Sequence, residues 1–209
     1  YWGTSYATHF LIEAENMGYA LPFGMKDKAI DFLKSMSSRW SSTQSSFYYN
    51  LDQAYRLYVL ALAGEPDMSA MNRLRQKSDL NEQTKWRLAS AYALAGKKDV
   101  AESLIDMNKL EVVEYEDFAN TYGSAHRDYA MLLETLTHLD KKDEVARLVK
   151  KFSETLSNKD QWLSTQTTAW MLLSLSKAKH LIKSSDESLW FNYKTNNANK
   201  ESVKTEELI

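Results

Sequence analysis

The chain has 209 residues, 44% hydrophobic and 12% aromatic, enough to bury a sizeable core and to exclude global disorder. A formal net charge of −2 without a basic stripe excludes the electrostatic footprint of a nucleic-acid binder, and no apolar run reaches the length of a membrane span. There is no cysteine, so disulfides, thiolate metal sites, cysteine nucleophiles and thioesters are excluded within these residues. Two prolines and six glycines suit long helices rather than a many-turned β-sandwich. The first residue is Tyr1 and no signal-like segment follows, so the sequence reads as part of something longer whose targeting information lies elsewhere.

The first helix is predicted from about Ser5 to Gly18, with Tyr6, Phe10, Leu11, Ala14 and Met17 on one side and an exposed apolar seam around Phe10 and Leu11. Gly18 is placed to end it, and Leu21-Pro22 make the turn. A second helix runs from Met25 to Arg39 on an Ile30, Leu33 and Met36 seam, followed by a serine-dominated loop over Ser41–Ser46. The third covers Leu51–Ala63 and stops at Gly64-Glu65-Pro66. A short basic helix follows at Ser69–Lys77. Asn81 caps a fifth helix over Glu82–Ala95, closed by Gly96, and a sixth spans Asp99–Met107. Leu110–Tyr122 is acidic and irregular, a surface loop with room for a brief strand. Ser124 opens a seventh helix ending near Asp140. The eighth, Lys142–Leu156, turns Val145, Leu148, Val149 and Phe152 inward. The ninth starts at Ser164 or Thr165 and fades near Ile182. Leu189-Trp190-Phe191 either packs back or forms a strand, and Lys194–Ile209 reads as a polar tail.

Helices three, five, seven and nine are rich in Ala, Leu and aromatics nearly all round, whereas two, six and eight carry a charged face. That alternation places an inner layer behind an outer one. An open right-handed solenoid of helix pairs satisfies it, and so does a ring of pairs closed into an α/α toroid. Three helix openings share one shape, a polar cap followed by small, aromatic and apolar residues: Asn50–Leu60, Tyr122–Ala130 and Ser164–Leu175.

Trp2-Gly3-Thr4-Ser5-Tyr6-Ala7-Thr8-His9-Phe10-Leu11-Ile12-Glu13-Ala14, followed by Gly18–Pro22, resembles the thioester-domain region of bacterial α2-macroglobulins. So do Gln53–Gly64, Arg87–Gly96, Tyr122-Gly123-Ser124 with Arg127-Asp128, and Ser164-Thr165-Gln166-Thr167-Thr168-Ala169, in family order over Tyr1–Lys179. The resemblance implies an all-α fold, an α/α toroid shared with complement thioester domains and, distantly, terpenoid cyclases, incomplete at its N-terminal edge. It implies a toroid over residues 1–184 and a connection toward a following domain over residues 185–209. The parent would be a protease-trapping protein of the bacterial envelope or periplasm. Partners would be the neighbouring β-sandwich domains of the same parent chain and, through the parent, target proteases. The family's Cys-x-Glu-Gln motif is missing from these residues. The loop Ser45–Asn50 holds no histidine where complement relatives place the one that accelerates acyl transfer. This stretch is then scaffold and interface rather than enzyme, with neither cofactor nor metal.

The candidate interface or inner-ring residues are His9, Tyr48, Tyr49, Arg127, Asp128 and Gln166. His9 is expected as a hydrogen-bonded structural histidine. Arg127 and Asp128 are expected as an ion pair or cap in a helix first turn. Thr165, Gln166 and Thr168 are expected as cap and inter-helix hydrogen bonds. Trp40, Tyr48 and Tyr49, flanking the serine loop, are expected in the core. The acidic Glu111, Glu114, Glu116 and Asp117 lack the ligand spacing of a calcium loop and read as solvated surface. Two other readings stand beside this one. An open tetratricopeptide-like scaffold is disfavoured by inner-helix spacings longer than the ~34-residue repeat. A toroid carbohydrate-active enzyme would need Glu13, Asp52 and Asp128 to converge.

Overall fold

The computed structural model describes residues 2–43, 47–112, 123–158, 160–182, 189–193 and 201–205. In chain order these form α1 (Trp2–Asn16), α2 (Met25–Ser38), α3 (Phe47–Leu62), α4 (Met68–Arg75), α5 (Glu82–Leu94), α6 (Lys98–Ser103), α7 (Ala125–His138), α8 (Lys142–Ser157) and α9 (Thr165–Ile182). A two-stranded antiparallel pair follows, β1 (Leu189–Tyr193) with β2 (Glu201–Thr205), in a register that sets Leu189 opposite Thr205 and Phe191 opposite Val203.

Local chemistry fixes most helix ends. The Asn81 side chain accepts the Thr84 N–H at 2.8 Å, and Asp67 accepts that of Ala70 at 2.9 Å, each satisfying a donor that the first turn leaves open. At the other end of α5, Gly96 takes φ 74°, which lets the Lys97 N–H return to the Tyr92 carbonyl at 2.9 Å. The sixth helix stops at Ser103, short of the expected Met107.

The odd-numbered helices form the inner layer. α1 packs on α3, α3 on α5, α5 on α7 and α7 on α9, while α2, α4, α6 and α8 lie outside and pack on flanking inner helices. Burial follows this division. On α3, Leu51, Ala54, Tyr55, Leu57, Tyr58, Val59 and Leu60 are all fully buried, whereas α8 buries only Val145, Leu148 and Phe152. The inner series returns on itself. Lys177 of α9 forms an ion pair with Glu13 of α1, and the rings of Tyr6 and Trp170 lie 6.5 Å apart. The ends therefore meet as a ring, and the open scaffold is not the architecture. Among the described residues no helix is long and apolar enough to cross a membrane.

One expectation holds on α1 and one is corrected after α9. Phe10 lies in the exposed apolar seam expected on α1. The helix buries Trp2, Ser5, Thr8, His9 and Ile12, leaving Phe10 68% and Met17 66% exposed. On the buried side His9 finds a partner in Tyr55 Oη at 3.1 Å. The predicted polar tail also contains β2, whose backbone supplies the ladder that β1 needs. Glu114, Glu116 and Asp117 of the acidic loop lie outside the described residues, and Glu111 is exposed.

Candidate functional site at the seam between the first and last inner helices

α1 and α9 run beside each other without closing their outer gap, leaving a groove of about 610 Å³. Tyr6, Phe10 and Met17 of α1 form one wall, and Ala169 and Leu173 of α9 the other. Tyr19, Ala20 and Leu21 close one end, while His9 and Glu13 lie at the floor.

Below the floor, all five inner helices contribute to one polar network. The Lys177 ammonium lies between the carboxylates of Glu13 and Glu134, donating to Glu134 Oε1 at 2.6 Å. Glu134 also accepts from Tyr58 Oη, and its Oε2 accepts from Arg87 Nη1 at 2.7 Å. The Arg87 guanidinium is fully buried, 4.3 Å from the centre of the Tyr58 ring and 5.2 Å from that of Trp170. A carboxylate only accepts, so His9 Nε2 donates to Glu13 Oε1 at 3.2 Å, leaving Nδ1 to accept from Tyr55 Oη at 3.1 Å.

Charge states follow from these contacts. Burial pushes the Glu134 carboxyl up, but Lys177 and Arg87 outweigh it and hold it well below the usual carboxylate range. Glu13 shows the same balance: burial raises it, and His9 and Lys177 bring it below its ordinary value. Burial works against the Lys177 ammonium, yet Glu134, Tyr58 and Glu13 raise its pKa above the ordinary lysine value. Burial lowers His9 and keeps it neutral, partly offset by Glu13 and Glu134. Two carboxylates and two cations thus balance in charge. Each carboxylate faces a cation, and the Lys177 ammonium faces both carboxylates. Ligand atoms of His9, Glu13 and Glu134 lie within 4.8 Å of one another, a spacing a divalent ion could use. The Lys177 ammonium already supplies the positive charge between them.

The expected site residues separate into distinct places. His9 belongs to the network. Arg127 and Asp128 pair at the start of α7, at 2.7 Å from Nη2 and 3.0 Å from Nε, with the guanidinium 4.6 Å from the Trp2 ring centre. Gly123 makes room for this pair, since a Cβ there would stand 2.2 Å from the Arg127 guanidinium carbon. Tyr48 and Tyr49 are half-buried near the start of α3, where Tyr49 stacks on Trp40 and its Oη accepts the Ser41 N–H at 3.1 Å. The capping expected of Thr165, Gln166 and Thr168 is done instead by their neighbours. Ser164 Oγ accepts the Thr167 N–H at 3.1 Å, and Thr167 Oγ1 lies 2.8 Å from Ser124 Oγ, which itself caps α7. Gln166 is half-buried, and its Oε1 has no partner among the described residues. Glu13, Asp52 and Asp128 do not form a carboxylate pair: each is bound to a different cation, Lys177, Arg56 and Arg127. Sequence reasoning missed Glu134, Lys177, Tyr58 and Arg87 as site residues.

Among the described residues, helix pairs, an inner layer of five helices and ends joined by side chains define a ring-type α/α fold. No protein-family model matches the sequence, and no curated protein matches it. Solved structures do. Native α2-macroglobulin from Escherichia coli superposes on 99% of the chain with a TM-score of 0.72 and 22% identity. Its fragment from domain MG7 to the C-terminus superposes on 99% with a TM-score of 0.71 and 22% identity. Salmonella α2-macroglobulin reacted with methylamine superposes on 97% with a TM-score of 0.69 and 23% identity. The chain spans 13%, 33% and 13% of those three chains, respectively. It has the fold of this stretch of the bacterial α2-macroglobulins.

Proposed function

We propose that the chain is the helical ring of a bacterial α2-macroglobulin-like, protease-trapping protein, and that it serves there as scaffold and docking surface rather than as an enzyme. The ring takes in residues 1–184, and residues 185–209 lead toward a following domain. The observation that carries this reading is the seam itself: an apolar groove over a floor whose charges are already paired. Such a surface is suited to contact rather than turnover. The fold shared with the α2-macroglobulins supports the choice of parent. The parent is extracytoplasmic, and cleavage of a bait segment elsewhere in it shifts the contacts this ring makes with neighbouring β-sandwich domains. These 209 residues supply no thiol for an internal thioester.

The test uses the full-length natural protein and trypsin. Trapping predicts that trypsin loses activity on a large protein substrate while keeping it on a small peptide. Equal activity on both, or equal loss, overturns the reading. Intact mass after methylamine then separates two mechanisms. An adduct with one released thiol places a thioester outside these residues, and an unchanged mass leaves shape and contact as the means of capture.

A further inference from the structure

The inner helices are not held equally. α3, α5 and α7 bury large apolar side chains all round, Leu57, Trp86 and Leu132 among them. α1 is the reverse: Ser5, Thr8 and His9 make up most of what it buries, while Phe10 and Met17 face outward. Its first turn is anchored by Trp2, whose ring lies 4.5 Å from that of Tyr55 and beneath the Arg127 guanidinium. Its second half is held by Ile12 in the core, by the α2 contact that includes the Lys26–Glu15 ion pair, and by Glu13 on Lys177, its one tie to α9 through a charge among the described residues. The groups facing Glu13 and His9 are Tyr55 and Tyr58 from α3, Arg87 from α5, Glu134 from α7, and Trp170 and Lys177 from α9.

The two carboxylates that share Lys177 depend on it unequally. Without that ammonium, Glu134 still has Arg87 at 2.7 Å and Tyr58, so its charge stays compensated. Glu13 would keep only the neutral His9. An uncompensated carboxylate in a half-buried place is costly, and the least costly relief is for the helix that carries it to move toward water.

We propose that Lys177 is the clasp of the ring. It fastens the second half of α1 to α7 and α9, and releasing it lets that half swing outward on the Trp2 anchor while the α3–α9 body stays folded. Swinging out removes one wall of the groove and uncovers Tyr55 and Trp170. The domain then has two states, clasped and unclasped, set by a single ion-paired lysine. This inference rests on the network geometry and not on the trapping reading, so either can fail alone.

The test is hydrogen–deuterium exchange, resolved by peptide, on the full chain carrying Lys177→Met. Amides of residues 9–16 are expected to lose protection by about a hundredfold, with those of α3, α5 and α7 changing by less than about threefold. Lys177→Arg, which keeps the charge, should hold most of the protection. Adding Glu13→Gln to Lys177→Met removes the uncompensated carboxylate and should restore most of the protection. Uniform loss across all inner helices overturns the proposal, as does unchanged exchange in α1. Failure of Lys177→Met to fold overturns it too, because the body is expected to stand without the clasp.

Discussion

Two junctions hold the inner helices together, and they use opposite means. Where α7 and α9 begin, Ser124, Thr167 and Ser164 interlock through hydroxyls, and Arg127 pairs with its own neighbour Asp128. Every partner there is a cap or lies within a few residues of one. Beneath the α1–α9 seam, the partners come from five helices, and Lys177 stands 164 residues from Glu13 and 43 from Glu134. The first junction joins the caps of two neighbouring inner helices, and the second draws on all the inner helices and exists only once the ring has closed. The comparison shows that a ring can be stitched locally at its helix starts and still depend on a few distant charges at its centre.

Glu134→Ala should break the distant junction hardest. It leaves Arg87 and Lys177 buried without their shared carboxylate, with a cost of about 3–5 kcal/mol read as a lower urea midpoint. Gly123→Ala attacks the local junction by driving a methyl into the Arg127 guanidinium and should cost about 1–3 kcal/mol in the same measurement. Ser124→Ala removes one cap and its bond to Thr167, a loss of about 1 kcal/mol. Phe10→Ser on the exposed wall should stay within about 0.5 kcal/mol of the parent chain, since it removes little buried surface.

Acid should also separate the two junctions. Burial lowers the pKa of His9 and of His138, so the unfolded chain takes up their protons first as pH drops. Their contribution is present above the ordinary histidine value of about 6.5 and is lost as pH falls through the folded values. Glu13 and Glu134, also lowered, act with the same sign below the ordinary carboxylate value. Thermal midpoints should be level from about pH 7 to 8 and decline below about 6.5. His9→Asn should flatten the first part of that decline. A decline of unchanged steepness would mean that His9 does not titrate with folding.

The sequence was most legible where structure is local. Helix five was expected at Glu82–Ala95 and spans Glu82–Leu94, because Asn81 and Gly96 act on their immediate neighbours. The layer alternation was legible for the same reason: a helix covered on both sides must be apolar all round. His9 was legible as an inner position on α1, but only the finished ring supplies Tyr55 as its partner. The network could not be assembled from spacing, since Tyr58, Arg87, Glu134 and Lys177 each sit on a different helix. A Glu in α7 or a Lys in α9 signals an unmet need without naming the group that meets it.

The placement of the indoles gives the seam its own optical signal. Of six tryptophans, Trp2 is buried at the anchored end of α1 and Trp170 is buried on α9, against His9. Each also lies within about 5 Å of an arginine guanidinium. A parting of α1 from α9 would hydrate Trp170 while Trp86, deep in α5, stays dry. The emission maximum of the unlabelled protein would then shift to the red before the helical circular dichroism changes, so fluorescence can time the opening of the ring separately from its unfolding.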